Sequence, residues 1–306
     1  MIISASRRTD IPAFYSDWFY NRIRQGFVIT RNPMNYNQLS RISLSPDVVD
    51  CIVFWTKDPL NMLHRIDELA SYNFYFQFTL TPYEKDIESQ LRDKKDIIDT
   101  FKMLSEKIGR NKVLWRYDPI ILNTKYNIDY HLQNFESMAK SLEGYTDKCV
   151  ISFIDIYKSI NKNMKILDVK ELTHDEMVEL GSGISKTASE YGITVATCSE
   201  QIDLSSFGIE HNRCIDDKLI SDIAGAGIDV GKDKNQREAC GCMSSIDIGM
   251  YNSCLHGCKY CYANHNAKTV QNNYAAHNPM STILSGNITE KDKITDRRII
   301  SLLNTQ

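Results

Sequence analysis

The chain has 306 residues, of which 42% are hydrophobic and 25% charged, with a net charge of −3. That balance supports a sizeable core in one α/β barrel or two modest domains, and it excludes a broad electrostatic footprint for nucleic acid. No uninterrupted apolar run approaches membrane-spanning length, and residues 1–8 hold too few apolar side chains for a signal peptide, so a cytoplasmic location with no membrane partner is expected.

In chain order, short apolar runs rich in branched and aromatic residues predict strands at 2–6, 51–55, 74–80, 112–116, 149–155 and 193–197. Between them, apolar residues at three-to-four spacing predict helices such as 96–108 and 174–191. The second of these starts on a capping box, Thr173 with Glu176, and is stopped by Gly192. Residues 26–46 carry Asn-Pro and Ser-Pro breakers beside a strand-like 27–30, and read as a hairpin or loop insertion after the first helix. Strands alternating with helices imply parallel pairing through right-handed crossovers. Residues 201–239 show few strand or helix signals. Residues 243–250 read as one more strand, 251–261 as the loop after it, and 262–270 as the start of a helix.

Polar residues collect where the predicted strands end: Arg7, Arg8 and Asp10; Thr56, Lys57 and Asp58; Thr79 and Thr81; Arg116 and Asp118; Asp155; Ser199 and Glu200. In a barrel of parallel strands that end carries the chemistry. Any one of them is adequately explained as a loop residue or helix cap, but six strands ending alike predict a polar mouth. Of the three tryptophans, Trp18 and Trp115 read as core, and Trp55, at a strand end, has the best claim to line a pocket.

Nine cysteines in a reducing compartment argue for metal ligation rather than disulfides. Cys51 and Cys149 open apolar runs and read as small core residues. Cys254, Cys258 and Cys261 stand on one short stretch with gaps of three and two residues, and Tyr260 precedes the last. Three thiolates so placed can ligate three irons of a [4Fe–4S] cluster and leave the fourth iron open to a small molecule. A structural zinc, with His256 as fourth ligand only if the loop bends back, and free thiols are the competing readings; otherwise His256 is expected to face solvent or a carbonyl. Cys198, Cys214, Cys240 and Cys242 form a second set. Four thiolates make a closed site, and because adjacent Cys-x-Cys ligands are less typical of zinc, a second [4Fe–4S] cluster is expected, with a Cys₄ zinc as the alternative; either would tie down residues 201–239. His211, three residues before Cys214, reads as an ordinary loop histidine.

The spacing from Cys254 to Cys261, with Tyr260, resembles the signature of the radical SAM superfamily, and residues 258–262 locally resemble the cluster loop of spore photoproduct lyase. The chain as a whole resembles an uncharacterised domain family in or near that superfamily, through residues 4–12, 54–59, 233–242, 245–249 and 254–263. The resemblance implies S-adenosylmethionine (SAM) chelated at the open iron and cleaved reductively to a 5′-deoxyadenosyl radical, with a reductant such as flavodoxin or ferredoxin. One departure stands out. The glycine-rich segment that usually holds the methionine amino group is replaced here by residues 6–10, so Arg7 or Arg8 is expected to hold the SAM carboxylate, and Asp10 or Thr9 the ammonium.

The strand, cysteine loop and helix that open such barrels come last in this chain. The expected fold is therefore α/β, a circularly permuted, partial (β/α) TIM-like barrel in which the final strand lies beside the first. The expected parts are a barrel over 1–200, an auxiliary cysteine segment over 201–243, and the last strand, cluster loop and C-terminal helix or tail over 244–306. The expected activity is that of a radical SAM enzyme. Lys57, Arg116, Asp118 and Glu200, with the arginines, would anchor SAM and a small-molecule or peptide substrate, for which a cationic mouth suits an anion. The alternatives are a two-cluster electron-transfer protein without SAM cleavage, and a barrel hydrolase with a structural zinc tail.

Overall fold

Strands buried on both faces need continuous apolar runs and helical crossovers, and the chain supplies both. A computed structural model describes residues 1–298 and 301–303. Its strands are β1 (Ile2–Ala5), β2 (Phe27–Arg31), β3 (Gln38–Ser43), β4 (Cys51–Thr56), β5 (Phe74–Thr79), β6 (Val113–Ile120), β7 (Lys148–Phe153), β8 (Thr194–Thr197), β9 (Glu210–His211), β10 (Ile246–Asp247) and β11 (Lys293–Asp296). Eight of them form one sheet in the order β10-β1-β4-β5-β6-β7-β8-β9, and every neighbouring pair in it is parallel. The expected alternation of strand and helix thus builds a large parallel sheet. Strand β10, late in the chain, pairs with β1 through Ile246 opposite Ile3 and Asp247 opposite Ser4.

Side-chain alternation along each strand divides the core. Ile52, Phe54, Phe76, Phe78, Trp115 and Ile151 face the larger core, which the helices Lys94–Ile108, Ile128–Leu142 and His174–Glu190 complete with Ile97, Phe101, Phe135, Leu180 and Ile184. The opposite face presents Ile2, Cys51, Val53, Tyr75 and Leu114, and packs against Cys214, Ile215, Ile220, Cys240, Cys242 and Met243. Residues 214–243 are therefore the cover of the sheet's second face. Cys51 and Cys149 are fully buried.

The capping box forms as expected: Thr173 caps the helix His174–Glu190, and Glu176 reaches back to its backbone. The 26–46 insertion is the antiparallel hairpin β2–β3, whose second strand is flanked by β11.

Three expectations are corrected. The strand expected over 243–250 contracts to the two residues of β10, because the residues around it serve loops that hold cysteines. Residues 201–239 are not without structure: they contain β9 and the helix Asp217–Ala224, capped by Asp216 and closed by Gly225 in the left-handed conformation. The helix expected from 262 begins later, at Ala267–Ala275, where Asn266 supplies the N-cap acceptor. Of the expected C-terminal tail, residues 299, 300 and 304–306 lie outside the described residues. Among the described residues no helix is long and apolar enough to cross a membrane.

Candidate functional site

The loop after β10 carries Cys254, Cys258 and Cys261, and backbone contacts fix its course. Lys259 N donates to Ile87 O at 2.9 Å, Gln90 N donates to His256 O at 3.1 Å, and Glu88 and Cys258 form an isolated β-bridge. Tyr15 Oη donates to Ser253 O at 2.5 Å, and Asn264 Nδ2 to Cys254 O at 2.7 Å. Gly257 sits at φ +67°, and a Cβ there would stand 2.5 Å from Ser89 Oγ, so the close approach of the two loops requires glycine.

Two buried pairs anchor the loop further. His256 Nε2 and Asp10 Oδ2 are 2.7 Å apart, and both side chains are buried. Asp10 also caps the short helix Ile11–Phe14 and accepts from Lys57 N at 2.7 Å. The expectation that His256 faces solvent or a carbonyl is thus replaced: packing against Phe14, at 4.6 Å between rings, and the Asp10 acceptor draw it inward. Its Nδ1 is buried with no hydrogen-bond partner. Asp10 spends its acceptors on this loop, a helix start and a strand end.

The second pair centres on Glu88. Lys57 Nζ donates to Glu88 Oε1 at 2.6 Å and Thr81 Oγ1 donates to the same oxygen at 2.8 Å. Lys94 Nζ and Tyr260 Oη also donate to this carboxylate. Burial pushes the Glu88 carboxyl up, but the two ammonium groups outweigh it and hold the pKa at about 2. Two cations on one anion leave a net positive charge beside Cys258, and Lys57 also lies 5.4 Å from the Tyr260 ring centroid.

The three loop thiols feel one another electrostatically. Burial pushes the Cys258 thiol up to about 12 with Lys57 opposing, and it raises Cys254 and Cys261 as well. A metal that replaces the protons would supply the charge that thiolates need in this setting. As the side chains stand, no three potential ligands among the described residues close around a point where an ion would sit. The donor set nonetheless suits three irons of a cubane: three thiols on one pinned loop, a neighbouring cation, and every other cysteine held in the core or at the second set.

That second set gathers where residues 198–242 cover the sheet. Cys198 Sγ lies 3.3 Å from Cys214 Sγ. Cys242 packs with Cys214 and Cys240 in one buried cluster. Arg116 Nη1 donates to Cys214 Sγ at 2.8 Å and to Gln77 Oε1 at 3.2 Å, and the same guanidinium pairs with Asp118. The Arg7 guanidinium lies over the Trp55 ring at 5.2 Å and within electrostatic reach of Cys242 and Cys214; its Nη2 is buried without a partner.

The candidate residues therefore divide. Lys57, Tyr260 and Asp10 stand with the cysteine loop; Arg7, Arg116 and Asp118 stand with the second cysteine set. Tyr262 Oη donates to Arg7 O at 3.0 Å and joins the two. Arg8 packs over Tyr251 and faces Asp247 at 3.8 Å. Glu200 accepts from Phe153 N at 2.9 Å, and burial, with Asp155 and Asp118 adding to it, pushes its carboxyl up to about 7. His211 is exposed on β9. Sequence reasoning missed Glu88, Lys94 and Asp247. Asp247 organises the β1–β10 end by accepting from Ser4 Oγ, Ser6 Oγ, Arg7 N and Gly249 N at 2.6–2.9 Å. The only signal for Lys94 and Asp247 was a charge at an element end, and for Glu88 a charge in a polar loop.

Three comparisons with known proteins bear on this chain. The model of a family described as a domain of unknown function, DUF1848, matches residues 2–263. No curated protein matches. Among solved structures, a candidate alpha-L-fucosidase from Bacteroides thetaiotaomicron VPI-5482 is similar at 13% identity and a TM-score of 0.26, covering 51% of this chain and 66% of that one. A likeness of that degree carries no functional argument.

Proposed function

The chain belongs to the DUF1848 family, whose description names no activity, and from the geometry of its cysteines we propose that it is a radical SAM enzyme. The observation that supports this reading is the loop of Cys254, Cys258 and Cys261, pinned to Asp10 and to residues 87–90. With a [4Fe–4S] cluster held there, the open iron would bind SAM and supply the electron that releases a 5′-deoxyadenosyl radical. The large parallel sheet is read as a circularly permuted, partial (β/α) barrel. In that reading β10, next to β1, is the strand that bears the cluster loop.

The chain's own residues hold and shield. Asp10 and His256 fasten the loop to the start of the first helix. Lys57 and Lys94, sharing Glu88, keep positive charge beside Cys258. Such charge favours the thiolates and, in a site closed to water, acts more strongly than it would in solvent. Arg7 and Arg8 are the cations proposed to anchor the SAM carboxylate. Arg7 has a buried donor with no protein partner, and Thr9 Oγ1 is a second such atom. With Asp10 committed elsewhere, Thr9 is the better candidate for the ammonium. Arg116, Asp118 and Glu200 are proposed to line the path to an anionic small-molecule or peptide substrate, and a flavodoxin- or ferredoxin-type protein to supply the electron.

The test is spectroscopic. The anaerobically reconstituted, dithionite-reduced chain should give an electron paramagnetic resonance signal that changes shape when SAM is added, and Arg7→Ala with Arg8→Ala should weaken that response. A signal indifferent to SAM would leave the cluster as an electron carrier and remove the proposed reaction.

A further inference from the structure

We propose that Cys198, Cys214, Cys240 and Cys242 bind a single tetrahedral metal ion of the zinc class, rather than a second iron–sulfur cluster. The separation of the sulfurs argues for it. Around one zinc with bonds of about 2.3 Å, tetrahedral thiolates lie about 3.8 Å apart. A cubane instead seats each thiolate on its own iron and so holds them farther apart. Here Cys198 Sγ and Cys214 Sγ are 3.3 Å apart, and Cys214, Cys240 and Cys242 share one buried cluster against which Cys198 packs. That 3.3 Å separation is nearer the spacing around one shared ion than the wider spacing of a cubane. Seating the set on a cubane would have to move these cysteines apart.

The surrounding protein resists that movement. Cys214 O accepts from Tyr75 Oη at 2.7 Å and from Gln77 Nε2 at 2.9 Å, and both donors are fully buried on β5. Cys242 O accepts from Asp233 N at 2.9 Å, and the next residue, Met243, donates to Ile215 O at 3.0 Å. Cys214, Cys240 and Cys242 are themselves packed with Ile2, Val53, Tyr75 and Ile220. These are outer partners of the kind that orient ligands and fix a small site.

Loading is balanced as four thiols and one Zn²⁺ giving a tetrathiolate–zinc unit of charge −2 and four released protons. Arg116, donating to Cys214 Sγ, and Arg7, over Trp55, stand next to that charge. A closed site of this kind is structural: it would fasten residues 198–242 onto the second face of the sheet.

This inference does not need SAM cleavage to be correct, and its test separates the two. Chain produced with both metals supplied and loaded anaerobically should contain about one zinc, about four iron and about four sulfide. About eight iron and eight sulfide, with no zinc, would overturn it. The triple variant Cys254→Ser, Cys258→Ser, Cys261→Ser keeps only the second set. It should retain about one zinc without sulfide, and with Co²⁺ in place of zinc it should show the intense visible bands of a tetrahedral tetrathiolate. Sulfide in this variant, or a folded variant that takes up neither ion, would refute the assignment.

Discussion

Lys57 Nζ reaches Glu88 Oε1 at 2.6 Å, and Glu88 forms a β-bridge with Cys258, so one buried ion pair sits against the cysteine loop. Removing one partner of such a pair leaves the other uncompensated, at a cost of about 3–5 kcal/mol. Glu88→Gln is therefore predicted to lower unfolding stability by about that amount, measured by urea titration, and to reduce iron uptake by the loop. Lys57→Met combined with Glu88→Gln should recover part of the loss. Equal loss in the single and double variants would show that the pair is not coupled.

The same carboxyl makes a pH prediction. Its pKa is depressed from the ordinary 4.5 to about 2 in the folded chain. A depressed acid contributes stability that is fully present above its unfolded value and is lost as pH falls through the folded one. The wild-type chain should lose this contribution between about pH 4.5 and pH 2, whereas Glu88→Gln should show a shallower acid limb in the same window.

Glu200 has the opposite sign. Its carboxyl is raised to about 7, chiefly by burial, so the folded chain prefers the protonated form. The associated stability is present below the unfolded value and declines as pH rises toward 7. Glu200→Gln should flatten stability across that range, and an unchanged slope would mean that Glu200 is solvated in solution.

Asp10 and His256 test the anchoring of the loop without touching a cysteine. His256→Ala and Asp10→Asn should each cost about 1–3 kcal/mol, and the double variant should cost less than their sum. Strict additivity would show that the 2.7 Å contact does not hold the loop.

Gly249→Ala tests the pairing of the last sheet strand with the first. A Cβ at 249 would collide with Ser6 Oγ and approach Thr9 Cγ2 at 3.2 Å. Overpacking of this kind costs about 1–3 kcal/mol, and a melting temperature equal to that of the wild type would argue against the close β1–β10 approach.

Much of the sheet was legible because its information is local. Runs such as 51–55 and 74–80 carry their own burial pattern, and Thr173 with Glu176 announces a helix start within four residues. The helix Asp217–Ala224 was missed because its eight residues offer only about two turns of periodicity, and much of its apolar face is paired with the cysteine segment. Strand β10 was overextended because two paired residues are too few to show alternation. At the site, cysteine spacing pointed to the loop, but the separation of Lys57 from Arg116 into different centres depends on contacts such as Arg116–Cys214, which no spacing rule reaches. Glu88 lay in a polar loop, and two of its four donors, Lys57 and Tyr260, come from distant segments. His256 looked like a surface residue because its partner, Asp10, is 246 positions away.

The central claim is that the loop of Cys254, Cys258 and Cys261 leaves one iron open for SAM. Its most direct measurement is product analysis of the anaerobically reconstituted chain given dithionite and SAM. The account predicts 5′-deoxyadenosine and methionine in equal amounts, abolished by Cys258→Ser. An intact, reducible cluster that yields neither product would contradict it.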